Sequence, residues 1–158
     1  MNTNSRNSSG SEEAPNTQSR HLGHVHLEVR DLQRSIDYYR DFVGLQVIEA
    51  VGRFAFLSFG EHHHDIALQQ VRRTRGSESG TRPGLYHVAF EVPSEGELTA
   101  AGRWLREHGT PFDLVDHGVS RALYTQDPDG HGIELYVDRR ALESGRERWG
   151  GATERLAG

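Results

Sequence analysis

The sequence predicts an α+β fold in which one βαβββ unit occurs twice within a single domain. The first observation is the order of patterns, because a strand, a helix and three strands are indicated over residues 22–71 and again over 85–138. The second is that residues recur 67 positions apart. The recurring pairs are Ala55 and Ala122, His64 and His131, Ile66 and Ile133, and Leu68 and Leu135. Such repetition favours two packed copies of one supersecondary unit, whose curled sheets enclose a cavity.

Length and composition limit the kinds of protein that this chain can be. Its 158 residues suit one domain, with a folded region at 21–140 and modules at 21–71 and 85–138. The net charge of -5 argues against a nucleic-acid partner, because phosphate binding needs clustered Lys and Arg. The lack of cysteine excludes thiolate metal sites and disulfides. Without a long apolar run or a signal-peptide core, we expect no membrane partner and a cytoplasmic location.

Three segments outside the modules carry no predicted chemistry. Residues 1–20 are almost devoid of apolar side chains, so we expect a disordered tail. Residues 72–84 are charged and rich in Gly, and are interpreted as a mobile linker between the modules. Residues 141–158 are interpreted as a C-terminal tail that can form a loose helix, docked by Trp149 and Leu156.

Local signals place the elements of the first module. A strand is predicted over 22–29, and Asp31 is a suitable N-cap for the following helix, which ends at Gly44. The apolar face of this helix consists of Leu32, Ile36, Tyr39 and Val43. Short β-type segments follow at 46–51, 54–59 and 66–71.

The second module repeats this order. A strand is predicted over 85–92, and Ser94 with Glu97 forms a capping-box pattern before a helix that ends at Gly109. Strands are predicted at 112–115, 121–125 and 132–137, with a turn at 127–130 between the last two.

Side-chain alternation directs three polar side chains to the interior faces of the sheets. His24 and His26 share the face opposite the helix, His87 takes the equivalent place in the second module, and Glu134 alternates with apolar core residues. A buried carboxylate without a partner is costly. Two histidines and one carboxylate form an arrangement that binds Fe(II), Mn(II) or Zn(II) and leaves positions open for substrate. The alternative is a hydrogen-bonded polar cluster that stabilises the fold.

Residues 22–138 resemble the vicinal oxygen chelate superfamily, which includes glyoxalase I, fosfomycin-resistance thiol transferases and type I extradiol dioxygenases. The resemblance implies metal ligands from the first strand of each module and the last strand of one module. These positions are His24, His87 and Glu134 here. Fe(II) is the expected metal, with Mn(II), Zn(II) or Ni(II) as alternatives, and the family further implies a homodimer.

The first module departs from the glyoxalase pattern at Ala67. Glyoxalase I-like proteins place a fourth, acidic ligand in the last strand of this module, where the present chain has alanine. Alanine cannot bind a metal, so the departure counts against glyoxalase chemistry and favours a three-ligand site.

Two segments are similar to extradiol dioxygenases. Residues 63–68 resemble their His-His segment, in which the second histidine, here His64, is the acid–base residue. Residues 116–136 resemble their C-terminal signature, in which a histidine and a tyrosine, here His117 and Tyr124, flank the substrate. Tyr124 precedes Glu134 by ten residues, as in that signature. The alternatives are a solvated loop histidine at 64, a turn cap at 117 and a core tyrosine at 124.

The resemblance predicts cleavage of a catechol-like aromatic diol with O2. His64 would accept the diol proton near neutral pH and return it later, while Tyr124 and His117 would hydrogen-bond and position the substrate. One alternative is a glyoxalase-like isomerase or a resistance-type thiol transferase on the same scaffold. Another is a non-catalytic drug-binding protein, against which the three retained ligands argue.

Overall fold

The computed structural model describes residues 22–71, 85–142 and 153–156, and within them it confirms the α+β fold with two βαβββ modules. One sheet has four strands and the other has five, and the two sheets are not closed into one barrel. The predicted N-terminal tail and linker lie outside the described residues. No helix among the described residues is long and apolar enough to cross a membrane.

The first module forms a four-stranded sheet with one helix. Its elements are β1 (Val25–Val29), α1 (Leu32–Tyr38), a π-helical turn (Tyr39–Val43), β2 (Gln46–Val51), β3 (Phe54–Ser58) and β4 (Ile66–Gln70). The strand order is β1-β4-β3-β2, with β1 and β4 parallel. Asp31 caps α1 by accepting the Arg34 N–H at 3.0 Å, and Gly44 ends the helical segment with a φ of 88°.

The predicted single helix of the first module therefore changes type at Tyr39. The wider turn leaves Tyr39 fully buried, with its hydroxyl donating to Asp127 of the second module at 3.0 Å. It also leaves Phe42 packed against Trp104, with ring centroids 5.1 Å apart. Helix periodicity alone does not reveal a π-turn, because the apolar residues still fall on one side.

The second module forms the five-stranded sheet. Its elements are β5 (Val88–Glu91), α2 (Glu95–Glu107), β6 (Asp113–Asp116), β7 (Ser120–Gln126), β8 (Gly132–Asp138) and β9 (Glu154–Leu156). The strand order is β5-β8-β7-β6-β9. Ser94 caps α2 by accepting the Glu97 N–H at 3.2 Å. The part of the C-terminal tail at 154–156 is a strand, so the helix expected there is wrong for these residues, which pair with the edge of β6.

Strand register shows which positions of the two modules are equivalent. Ala67 on β4 pairs with His26 on β1, and Glu134 on β8 pairs with Ala89 on β5. His24 and His87 each lie two residues before the paired residue of their module, and both immediately precede the strand rather than lying within it. Ala67 and Glu134 are therefore structural counterparts.

Each sheet buries one face against its helix and leaves the other available. We call this second face the open face. The first core contains Leu27, Val29, Ile36, Leu57, Ile66 and Leu68, and the second contains Leu98, Leu105, Leu123, Leu135 and Val137. Ile133 of the second module belongs to the first core, so the modules share apolar packing. A cavity of about 860 Å³ is lined only by residues of the second module and its strand β9, among them His87, His117, Tyr124 and Thr153. It therefore belongs to the second module rather than lying between the two sheets.

Candidate metal centre

The open face of the second module holds four polar side chains in one hydrogen-bonded series. His87 Nε2 lies 2.8 Å from Glu134 Oε2, and the Tyr124 hydroxyl donates to Glu134 Oε1 at 2.8 Å. His117 Nε2 lies 3.0 Å from the Tyr124 oxygen. Glu134 is only 8% exposed, so this carboxylate is satisfied by side-chain donors rather than by bulk water.

Local backbone features bring these four side chains together. Tyr124 and Glu134 are direct cross-strand partners on β7 and β8, which places their side chains next to each other. Gly132 opens β8 where a Cβ atom would lie 2.2 Å from the Tyr86 carbonyl oxygen, so only glycine allows His87 to approach this strand. His117 precedes Gly118, which has a φ of 78° and donates its N–H to Asp116 at 2.7 Å.

Burial and charge fix the proton on Tyr124. Burial raises the pKa of the Tyr124 hydroxyl, and the hydrogen bond to the Glu134 carboxylate raises it further. Tyr124 is therefore a hydrogen-bond donor at neutral pH. His87 Nδ1 is buried and has no hydrogen-bond partner among the described residues, which leaves the ring held mainly through Nε2.

The open face of the first module carries a separate group of imidazole rings. The centroids of His24 and His64 are 4.5 Å apart, and His63 Nδ1 lies 2.9 Å from His64 Nδ1. Phe56 covers His64 with its ring at 5.0 Å. Burial lowers the pKa of His64, and the neighbouring His24 and His63 lower it further. His64 is therefore a neutral ring at pH 7 that can accept a proton.

A loop held by Asp65 presents His63 and His64. The Asp65 carboxylate accepts the Phe59 N–H at 2.8 Å and lies 3.0 Å from the buried Ser58 hydroxyl, which also contacts the His62 carbonyl at 2.7 Å. His26, on β1, lies near Phe54 with ring centroids 6.4 Å apart and belongs neither to the imidazole group of the first module nor to the hydrogen-bonded series of the second. The structural role of Asp65 is to fix the loop.

The structure brings together some predicted site residues and separates others. His87, Glu134, Tyr124 and His117 lie in one group, whereas His24 and His64 lie in the other. Within residues 22–71, 85–142 and 153–156, no three His, Asp or Glu side chains form a group that could hold a metal ion. One chain therefore presents two half-sites, one with a carboxylate and one without.

The second half-site fits a metal ion in part. Two ligand atoms at about 2.1 Å from one ion and at right angles lie about 3 Å apart, which is close to the His87–Glu134 distance of 2.8 Å. Imidazole and carboxylate are also donors that Fe(II), Mn(II) and Zn(II) accept. The third predicted donor, His24, belongs to the other half-site, so the donor set of one chain is incomplete at this point.

Two groups of polar residues near the site were not predicted. Thr153, in the tail to which the sequence assigned no chemistry, lies with Oγ1 3.1 Å from His117 Nδ1. The buried Asp127 carboxylate contacts Tyr39 at 3.0 Å and His131 Nδ1 at 2.8 Å, and His131 is half-buried. The turn pattern at 127–130 indicated a bend, but it gave no signal that α1 packs over it.

Two βαβββ modules with this register define the vicinal oxygen chelate fold. Residues 21–135 match the model of the glyoxalase/bleomycin resistance protein/dioxygenase superfamily, and the chain belongs to this superfamily. The glyoxylase/bleomycin resistance protein/dioxygenase domain from Frankia sp. EAN1pec has the same fold, with a TM-score of 0.67 and 24% identity over 79% of this chain and 96% of that domain.

Curated relatives include enzymes of more than one kind. Catechol-2,3-dioxygenase of Bacillus subtilis is 37% identical over 82% of this chain and 46% of the relative. Biphenyl-2,3-diol 1,2-dioxygenase 3 of Rhodococcus globerulus is 34% identical over 76% of this chain and 64% of the relative. Metallothiol transferase FosB of Staphylococcus epidermidis is 32% identical over 73% of this chain and 80% of the relative. The chain thus spans about half to two thirds of the length of the two dioxygenases.

Proposed function

We propose that this protein is a metal-dependent extradiol-type dioxygenase that cleaves a catechol-like aromatic diol with O2. The observation that carries the proposal is the series His87–Glu134–Tyr124–His117, of which His87, His117 and Tyr124 line the cavity of the second module. It contains a metal-binding pair and, beside it, a phenol and an imidazole that can contact a bound diol. The likeness to two diol dioxygenases supports the same reaction.

The metal would be held by His24, His87 and Glu134, and Fe(II) is the proposed ion. When bound, Fe(II) supplies a centre that activates the diol and O2 together. Glu134 uses one oxygen toward His87 and the other toward Tyr124, so it can bind a cation through one oxygen while still accepting the tyrosine hydrogen bond. Tyr124 is thereby kept next to the position that the diol would occupy.

The three proposed catalytic residues handle protons and orientation. Tyr124 stays protonated, with its proton directed at Glu134, and its oxygen accepts a hydrogen bond from a hydroxyl group of the diol. His64, whose pKa is lowered by burial and neighbouring rings, accepts the proton that the diol releases and returns it during ring opening. His117 lies beside Tyr124 and positions the substrate from the other side.

We further propose that the protein acts as a homodimer, in which His24 and His64 of one subunit join His87 and Glu134 of the other. β1 and β5 end their sheets, so their outer edges have no strand partner within the described parts of the chain. Leu22, Leu85 and Tyr86, beside His24 and His87, are 80%, 66% and 86% exposed. These edges and apolar side chains are suited to pairing with a second copy, which would supply the third donor.

Subunit complementation tests this arrangement. His24→Ala and Glu134→Ala should each be inactive, and a mixture of the two, unfolded and refolded together, should regain about a quarter of the parent activity and metal content. The figure follows because half of randomly formed dimers are mixed and each mixed dimer has one intact site of two. If each chain forms its own site, the mixture stays inactive, because no subunit has both residues.

The reaction itself is tested by reconstitution. Purified protein loaded with Fe(II) under anaerobic conditions and then exposed to air should turn catechol or 2,3-dihydroxybiphenyl into a yellow ring-cleavage product. Loaded protein that consumes no O2 with a panel of catechols would overturn the dioxygenase proposal. The similarity to FosB then makes thiol transfer the next activity to measure. The cytoplasmic location stays a prediction.

A further inference from the structure

The C-terminal strand β9 contributes to the functional cavity. β9 pairs antiparallel with β6, and Thr153 and Arg155 line the same cavity as His117 and Tyr124. The described residues of the first module form a sheet of four strands with no strand in this position. Among the described residues, β9 is therefore an addition to the second module alone, and it lies at the sheet edge next to His117.

Thr153 extends the hydrogen-bonded series of the site by one member. Its Oγ1 lies 3.1 Å from His117 Nδ1, while the other ring nitrogen lies 3.0 Å from the Tyr124 oxygen. Both nitrogens of His117 are thus held, one by the second module's β7 and one by the residue that leads into β9. A ring held at both nitrogens has a fixed orientation and a fixed choice of tautomer.

The direction of the protons in this series follows from the groups involved. The Glu134 carboxylate only accepts hydrogen bonds, so Tyr124 gives its single proton to Glu134 Oε1. The Tyr124 oxygen must then accept from His117, which requires the proton of a neutral ring to be on Nε2. Nδ1 is consequently an acceptor, and the Thr153 hydroxyl is the group that donates to it.

We propose that Thr153 is a positioning residue: its hydroxyl, on the residue that leads into β9, donates to Nδ1 of His117 and holds the ring with its Nε2–H directed at Tyr124. In this arrangement the orientation of Tyr124 toward a bound diol depends on the C-terminal strand. The consequence for the diol rests on the proposed dioxygenase function, whereas the hydrogen bond that holds His117 does not.

Three substitutions separate the hydroxyl from the strand that carries it. Thr153→Val keeps the shape and the β-branch and removes only the hydroxyl, and Thr153→Ser keeps the hydroxyl. Glu154→Gln is the matched control. Glu154 follows Thr153 directly, and because side chains alternate along a strand, the side chain of Glu154 lies on the face opposite Thr153. Leu156→Ala weakens the docking of β9, because Leu156 is the register partner of Leu114.

The first measurement is the ¹⁵N spectrum of the histidine side chains in protein loaded with Zn(II), which leaves NMR lines sharp. The parent, Thr153→Ser and Glu154→Gln should show His117 with its proton on Nε2 and with the Nδ1 shift of a nitrogen that accepts a hydrogen bond. Thr153→Val and Leu156→Ala should keep the proton on Nε2, because Tyr124 still accepts it, and should show the Nδ1 shift of a nitrogen that has lost its hydrogen bond. The proposal is overturned if His117 of the parent carries its proton on Nδ1, or if the Nδ1 shift of Thr153→Val matches that of the parent. It is equally overturned if Thr153→Ser behaves like Thr153→Val.

The second measurement concerns the diol. Thr153→Val should lower kcat about fivefold with unchanged metal content, the effect of one lost hydrogen bond of about 1 kcal/mol, and Thr153→Ser should recover the parent value. If no protein in the set cleaves a diol, the proposed function fails while the NMR result still decides the role of Thr153. If the parent cleaves diols and Thr153→Val matches it in both kcat and the Nδ1 shift of His117, only the role of Thr153 fails.

Discussion

The open faces of the two modules differ in chemistry although the modules share one architecture. The first presents imidazole rings, with His64 in contact with both His24 and His63. The second presents a carboxylate, with Tyr124 and two imidazoles arranged around Glu134. At the position where the second module has Glu134, the first has the small, buried Ala67.

The difference shows how a duplicated unit can divide one task. The proposed metal site combines an anion with two neutral donors, and each half-site among the described residues has only part of this set. The proton-accepting ring His64 and the proton-holding Tyr124 are divided in the same way. Substitutions that remove a polar side chain from one open face, or add one to the other, therefore test whether the two faces act together.

The largest effect is expected from removing the anion of the second face. Glu134→Ala should abolish activity and weaken metal binding by more than about 100-fold, because loss of even an outer-shell partner costs about 10–100-fold. Metal content measured by elemental analysis checks this, with Glu91→Ala as the control, since Glu91 is an exposed carboxylate on β5. Unchanged metal content in Glu134→Ala would place the metal elsewhere.

Removing one hydroxyl beside the anion should affect turnover but not the metal. Tyr124→Phe should lower kcat by about 10²–10⁴-fold, the range for loss of a positioned proton-handling group, with parent metal content. Tyr136→Phe is the matched control. Tyr136 lies on the same face of β8 as Glu134, but its hydroxyl contacts Glu91 at 3.2 Å instead. Equal losses in both variants would contradict a specific role for Tyr124.

Making the first face resemble the second should break the division. Ala67→Glu should bind metal at least as firmly, because a fourth anionic ligand attracts the ion, and should lose most ring cleavage, because a position needed by substrate or O2 is taken. Ala67→Gln adds the same bulk without the charge and should not tighten metal binding. Ring cleavage close to the parent rate in metal-loaded Ala67→Glu would mean that Ala67 does not face the metal.

The smallest effect concerns the ion pair of His131 with Asp127, the carboxylate that also accepts a hydrogen bond from Tyr39 of the first module. The hydrogen bond from Asp127 raises the pKa of His131, so this ring contributes stability that is complete below about pH 6.5 and is lost as pH rises through the folded-state pKa. His131→Ala should lower stability by about 1–2 kcal/mol at pH 6 and by less at pH 9. Urea unfolding at both values measures this, and an equal loss at both would contradict a charged contact.

Much of the fold could be predicted from local signals. The caps at Asp31 and Ser94 and the left-handed Gly44 appear where the sequence indicated them, because each depends only on neighbouring residues. The predicted neighbours Tyr124 and Glu134 are cross-strand partners, since a ten-residue spacing across a tight turn fixes their register. These features require no knowledge of how the modules meet.

The remaining features depend on contacts between distant parts of the chain. Side-chain alternation indicates the face of the sheet on which His24 lies, but it does not indicate which other ligands lie opposite that face. Thr153 reaches His117 through backbone pairing of β9, for which its side chain gives no sequence signal. The turn pattern at 127–130 indicates a bend, but it does not indicate that Arg34 of α1 packs over this turn or that the neighbouring His131 is half-buried.

The separation of His24 from Glu134 has a consequence for how the protein would behave on dilution. If each centre needs donors from two subunits, dissociation of the dimer removes a ligand. The apparent metal affinity then decreases as the protein concentration decreases. By the same linkage, metal shifts the equilibrium toward the dimer. Such a centre would lose its metal when the protein is scarce, because a subunit without a partner lacks one of the three ligands.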